Sequence, residues 1–152
     1  MAKICVGNKA PEFSAVTTDG NRVSLNDFLG DKALVLFFYP RDNSPICTKE
    51  ACSFRDSYEQ FVQAGAEVIG VSSDSTDSHQ EFSKQYQLSF PLISDSDGTL
   101  RKQFGVPATL GLLPGRVTYV IDKDGIVRLI FSAQFASEEH VRKALQAVET
   151  HS

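Results

Sequence analysis

The chain has 152 residues, 41% hydrophobic and 22% charged, and its 15 basic and 19 acidic side chains leave a net charge of −4. That length suits one core, so residues 1–152 are expected to form a single domain with no room for a second enzymatic one. Disordered and collagen-like classes are excluded, the interspersed charges offer no basic face for nucleic acid, and the longest apolar run, residues 33–39, falls far short of the ~20 residues a membrane-spanning helix needs.

Residues 1–7 lack the apolar stretch of a secretory signal, which points to the cytoplasm or to a chain whose targeting segment has been removed. Residues 13–18 and 22–24 flank Asp19-Gly20-Asn21, the pattern of a β-hairpin, and Ser24 is placed to cap a short helix that reaches Phe28 and stops at Gly30. Residues 33–39 (ALVLFFY) are apolar throughout, as in a central strand covered on both faces. The turn Pro40-Arg41-Asp42-Asn43-Ser44-Pro45 follows. Ser44 can cap the next helix and Pro45 suits its first position, while Ala51, Phe54, Tyr58, Phe61 and Val62 recur at helical steps up to Gly65.

A strand over 67–72, a polar helix over 77–86, a short strand over 90–94 and a short helix over 99–104 come next, then a loop to Gly115. Strands over 117–121 and 126–131 enclose Asp122-Lys123-Asp124-Gly125, a strong hairpin signal, and a helix from residue 137 to 148 ends the pattern. The result is an α/β chain of thioredoxin-like arrangement: a central mixed β-sheet flanked by helices, with an N-terminal β-hairpin. Phe37, Phe38, Phe54 and Phe61 are expected in its core, whereas His79, His140 and His151 show no ligand spacing and are expected on exposed helical or tail positions.

Three cysteines are too few for a disulfide scaffold, and the odd count points to redox or catalytic use or to buried thiols. Cys47 falls in the first turn of a helix that follows the central strand, where backbone N–H groups without an intrahelical partner favour a thiolate. Cys52 lies five positions on, which in an ideal helix separates the Cα atoms by about 8.6 Å. A disulfide tolerates about 7 Å at most, so a bond between them would require the first turns to unwind. With no second cysteine pair or histidine cluster the spacing is a poor zinc signal. Two unrelated core thiols remain the bland reading.

The run from Tyr39 to Cys52 contains Pro-x-x-x-Ser-x-x-Cys and Cys-x-x-x-x-Cys, and further on stands Leu113-Pro114-Gly115-Arg116-Val117-Thr118-Tyr119-Val120-Ile121-Asp122. Together these resemble the peroxiredoxins of the Q type, the bacterioferritin comigratory proteins, over nearly the whole chain. The resemblance implies a thiol peroxidase that reduces hydrogen peroxide and organic hydroperoxides. In it Cys47 is the peroxidatic thiolate, Cys52 the resolving cysteine that closes an intramolecular disulfide, and Ser44 the hydroxyl that orients the peroxide. Pro40 shields the pocket, Arg116 stabilises the thiolate and the departing oxygen, and Glu50, three residues after Cys47 and so on the same helical face, helps hold Arg116.

The resemblance also implies no metal or other cofactor, a peroxide substrate, thioredoxin or a similar dithiol donor, a monomer, and either bacterial cytoplasm or a plastid. Ile46 stands where such relatives usually carry glycine, Cys5 lies outside the motif, and Glu149-Thr150-His151-Ser152 lacks the Tyr-Phe ending of overoxidation-sensitive relatives. Two other classes fit parts of the pattern. A thioredoxin-like disulfide reductase would normally use Cys-x-x-Cys, which is absent, and a redox-gated binding module would stop at one equivalent of peroxide.

Overall fold

Strand β3, Ala33–Phe38, shows why the chain folds around its most apolar run: successive side chains point to opposite faces, and both faces are covered. Leu34, Leu36 and Phe38 enter one core cluster with Phe13, Leu25, Phe104 and Tyr119. Val35, Phe37 and Tyr39 enter the other, with Phe54, Phe61, Phe82, Val141 and Ala144. A computed structural model of the chain describes residues 4–106, 108–109 and 113–151, and the elements below refer to these.

Strands β1 (Ser14–Val16) and β2 (Arg22–Ser24) form the expected antiparallel hairpin, and a 3₁₀ turn over Leu25–Asp27 follows, where the Ser24 N–H donates to Asp27 Oδ2 at 2.8 Å. After β3 come helix α1 (Pro45–Gln63), strand β4 (Ala66–Ser72), helix α2 (Thr76–Tyr86), strand β5 (Leu92–Ser94) and helix α3 (Thr99–Phe104). The two-residue strands β6 (Ala108–Thr109) and β7 (Leu113–Pro114) pair with each other, so the segment read from sequence as a plain loop contains a small antiparallel ladder. Strands β8 (Val117–Ile121) and β9 (Val127–Ser132) and helix α4 (Ser137–His151) complete the order.

The main sheet runs β5-β4-β3-β8-β9. Its β3–β4 and β4–β5 pairs are parallel and its β3–β8 and β8–β9 pairs antiparallel, which makes it mixed. Gly70 sits opposite Phe37 in the β3–β4 register, and a Cβ there would lie 2.7 Å from the Phe37 ring and 2.8 Å from Leu92. Phe37 fills that space and stacks on Phe54 of α1 at 4.4 Å between ring centroids, which fixes α1 against the sheet. No described helix is long and apolar enough to cross a membrane.

Two sequence expectations fail here. His79 and His140 are not on exposed helical positions; both are fully buried, and only His151 is exposed. Their helical phase explains it. His79 stands three residues before buried Phe82, and His140 four before Ala144 and eight before Val148, so each lies on its helix's apolar stripe, where its ring packs as a flat aromatic with polar edges satisfied by neighbours.

Candidate active site

The β3–β8 register assembles the site. Phe38 pairs with Val117, so the residue entering β8, Arg116, comes to the sheet end where β3 leaves for α1. Helix α1 begins at that same end with Ser44 as N-cap and Pro45 at its first position. Its first internal bond runs from Thr48 N to the Ser44 carbonyl at 2.8 Å, so the N–H groups of Ile46 and Cys47 precede any carbonyl the helix could offer them. Cys47 is buried there, at 1% exposure.

Arg116 divides its guanidinium among three partners. Nη2 donates to Cys47 Sγ at 3.0 Å, Nη1 donates to Glu50 Oε1 at 2.7 Å, and Nε donates to the Gln134 carbonyl at 2.8 Å. All three side chains of the Cys47–Arg116–Glu50 set are at least 97% buried. A guanidinium so fixed is suited to hold a thiolate and to meet negative charge that develops beside it. Burial pushes the Glu50 carboxyl up to about 7, against the opposing charge and hydrogen bond of Arg116.

The structure brings Cys47, Glu50 and Arg116 into contact, although 69 residues separate the thiol from the arginine. Ser44 is half-buried, and its hydroxyl donates to the Arg41 carbonyl at 3.0 Å rather than capping α1 through its side chain. Pro40, also half-buried, starts the turn between β3 and α1. Cys52 is half-buried on α1, which runs unbroken past it, and Cys5, Cys47 and Cys52 are all thiols. The side chains of residues 107–114, including the Leu113-Pro114 part of the downstream motif, lie outside the described set. A cleft of about 660 Å³ between the N-terminal hairpin and residues 93–100 is lined by none of the candidate residues.

Sequence reasoning missed the buried network that holds the turn carrying Pro40 and Ser44. Asp42 Oδ1 accepts from the Tyr39 hydroxyl at 2.6 Å, and Oδ2 accepts from Ser78 Oγ at 2.8 Å and contacts His79 Nδ1 at 2.7 Å. His79 Nε2 lies 3.0 Å from the Ile93 carbonyl, and the Asp42 N–H donates to Asp74 Oδ2 at 2.7 Å. Ligand-type atoms of Asp42, Asp74 and His79 lie within 4.8 Å of one another, and each takes part in the hydrogen bonds that clamp this turn. The signal was present in the sequence as His79 and Phe82 on one helical face.

The clamp gives a direct expectation. Replacing His79 by alanine empties a buried site and leaves the Asp42 carboxylate only the Tyr39 and Ser78 hydroxyls, and is expected to lower stability by about 3–5 kcal/mol, read from the denaturant midpoint. A loss below about 1 kcal/mol would show that the turn is held by other contacts.

Comparison with known proteins agrees with the geometry. Residues 6–130 match the AhpC/TSA family. The chain is 49% identical over 151 residues to the chloroplastic peroxiredoxin Q of Sedum lineare, covering 99% of this chain and 81% of that one. It is 50% identical over 147 residues to the chloroplastic peroxiredoxin Q of Arabidopsis thaliana, covering 96% and 68%. Among solved structures, peroxidoxin BcpB of Mycobacterium tuberculosis superposes with a TM-score of 0.87 at 36% identity over 95% of this chain and 96% of that one. A bacterioferritin comigratory protein of Xanthomonas campestris with alkyl peroxide reduction activity gives 0.83 at 31% identity over 91% of each. The chain therefore belongs to the AhpC/TSA family and, within it, to the Q-type peroxiredoxins, which are thiol peroxidases.

Proposed function

We propose that the peroxidase reaction runs through Cys47 and is completed within one chain by Cys52. The Cys47 thiolate attacks one oxygen of the hydroperoxide, the O–O bond breaks, and the departing oxygen leaves as an alkoxide or hydroxide that takes up a proton. Cys47 is thereby oxidised to the sulfenic acid. The Cys52 thiol then condenses with it, water leaves, and the Cys47–Cys52 disulfide forms. A dithiol protein of the thioredoxin kind reduces that disulfide by exchange, returning both thiols.

The observation that carries this reading is the 3.0 Å contact from Arg116 Nη2 to Cys47 Sγ at the start of a helix. In it Arg116 stabilises first the thiolate and then the charge on the departing oxygen. Glu50 holds the guanidinium in place. Ser44, whose proton is committed to the Arg41 carbonyl, keeps an oxygen that can accept from the peroxide O–H, and Pro40 screens the pocket. Both hydrogen peroxide and organic hydroperoxides are substrates in this proposal, the latter supported by the activity of the Xanthomonas relative.

Resolution requires α1 to open, because its regular geometry keeps positions five apart beyond disulfide reach. Ile46, stiff at χ1, lies in the turn that must unwind. An intramolecular pair needs no second subunit, so we place the reaction in a monomer formed by residues 1–152 as one domain. Its compartment is a plastid or the bacterial cytoplasm, and the plant relatives named chloroplastic support the first.

Cys52→Ser tests the division of roles. The variant is expected to complete one rapid turnover and then accumulate a Cys47 sulfenic acid, trapped by dimedone and read by mass. Failure of that first turnover would remove Cys52 from the resolving role.

A further inference from the structure

Among the described residues Glu50 carries a buried oxygen without a hydrogen-bond partner. Its Oε1 accepts from Arg116, whereas Oε2 receives no donor and lies 3.5 Å from His140 Nδ1. His140 reaches this point from α4, fully buried, with Nε2 2.7 Å from the Ala133 carbonyl and Nδ1 2.8 Å from Thr118 Oγ1. A carbonyl only accepts, so Nε2 carries the ring hydrogen. In the neutral ring Nδ1 then offers one lone pair, which the Thr118 hydroxyl at 2.8 Å and a protonated Glu50 Oε2 at 3.5 Å share as donors. A carboxylate Oε2 would face a second acceptor in a place water does not reach, and a proton between Oε2 and Nδ1 removes that conflict.

Charge leads to the same arrangement. The titratable groups that face Glu50 are Cys47 on its own helix, Arg116 entering β8 and His140 on α4. Farther out, Asp56, Glu138 and Arg142 line the outer groove between α1 and α4, and Lys143 lies over the Phe131 ring that packs edge-on against His140. With Glu50 a carboxylate, one guanidinium would serve two buried anions once Cys47 ionises. With Glu50 a carboxylic acid, Arg116 and the Cys47 thiolate balance, while Oε1 still accepts from Nη1. Moving one proton from the thiol to the carboxylate leaves the net charge of the cluster unchanged.

We propose that His140 is a positioning residue for the peroxidase reaction: by accepting a hydrogen bond from the Glu50 carboxylic acid it keeps that group neutral and leaves the Arg116 charge to the Cys47 thiolate. The proposal rests on the peroxidatic role of Cys47. The electrostatics support placing the proton on the carboxyl. Burial pushes Glu50 up to about 7, and it pushes His140 down to about 4, opposed by the Ala133 bond and aided by the Arg116 charge. Because the folded value of Glu50 lies above its ordinary 4.5, its contribution to stability is fullest in acid and is lost as the pH rises through about 7.

Infrared spectroscopy of the reduced wild-type chain tests the proton directly. A carboxylic-acid C=O band is expected below about pH 7, absent in Glu50→Gln and moved to lower pH in His140→Asn, whose amide can donate to Oε2. Thiolate absorbance supplies the second readout. His140→Asn is expected to move the ionisation of Cys47 upward and to slow the first turnover at neutral pH about five- to tenfold, as expected within one hydrogen-bond network. In a Glu50→Gln background, where position 50 is permanently neutral, the same change is expected to leave the Cys47 titration where Glu50→Gln alone puts it. Absence of the Glu50 band at every pH, or an equal His140→Asn shift in both backgrounds, would overturn the proposal. The infrared band and the thiolate titration need no turnover, so loss of peroxidase activity in the wild type would instead strike the peroxidatic reading itself.

Discussion

Cys47→Ser is expected to abolish peroxide-dependent turnover, with a loss of at least about 10⁴-fold, as for removal of other catalytic nucleophiles. A serine hydroxyl fits the buried position almost without change of volume, so the fold and the Arg116–Glu50 contact should persist. Reactivity is what disappears, because the hydroxyl does not ionise near neutral pH and oxygen is a poor nucleophile toward peroxide. Peroxide consumption with a dithiol donor, alongside circular dichroism to verify folding, makes the measurement. Turnover at the wild-type rate would place the chemistry elsewhere.

The second large effect belongs to Arg116. Arg116→Leu is expected to slow the first turnover by about 10²- to 10³-fold, the range for losing a fixed donor to developing negative charge. Arg116→Lys restores the charge but cannot reproduce three donors aimed at Cys47, Glu50 and the Gln134 carbonyl, so it should recover only part of the rate. Full recovery by lysine would show that charge alone, rather than the forked geometry, carries the function. Peroxide-driven quenching of intrinsic fluorescence is unsuitable in a chain without tryptophan, so rapid-quench thiol labelling is the suitable assay.

Local signals carried much of the architecture. The run ALVLFFY marked β3 because a strand covered on both faces needs no polar alternation, and Asp122-Lys123-Asp124-Gly125 marked the β8–β9 turn, where Gly125 has φ 82°. Helical spacing alone put Glu50 on the face of Cys47. The pairing of Cys47 with Arg116 could not be read that way, since it depends on an antiparallel register between strands far apart in sequence, and only the family resemblance supplied it. The histidines show the opposite failure. Their lack of ligand spacing suggested exposed positions, whereas their phase relative to Phe82 and Ala144 put them inside, where a carboxylate, hydroxyl or carbonyl meets each ring nitrogen. Ser44 stands at the N-cap position as read, but its hydroxyl donates to the Arg41 carbonyl and accepts no N–H of the helix.

The odd cysteine count now divides by position. Cys47 and Cys52 share one helix, while Cys5 is exposed near the N-terminus, outside that helix. A non-reducing peptide mass spectrum after one equivalent of hydrogen peroxide tests that division and the proposed resolution most directly. The account predicts a chain lighter by one pair of hydrogen atoms, with Cys47 linked to Cys52 and Cys5 still a thiol. A crosslink through Cys5, or Cys47 and Cys52 both recovered as thiols after the peroxide is consumed, would contradict it.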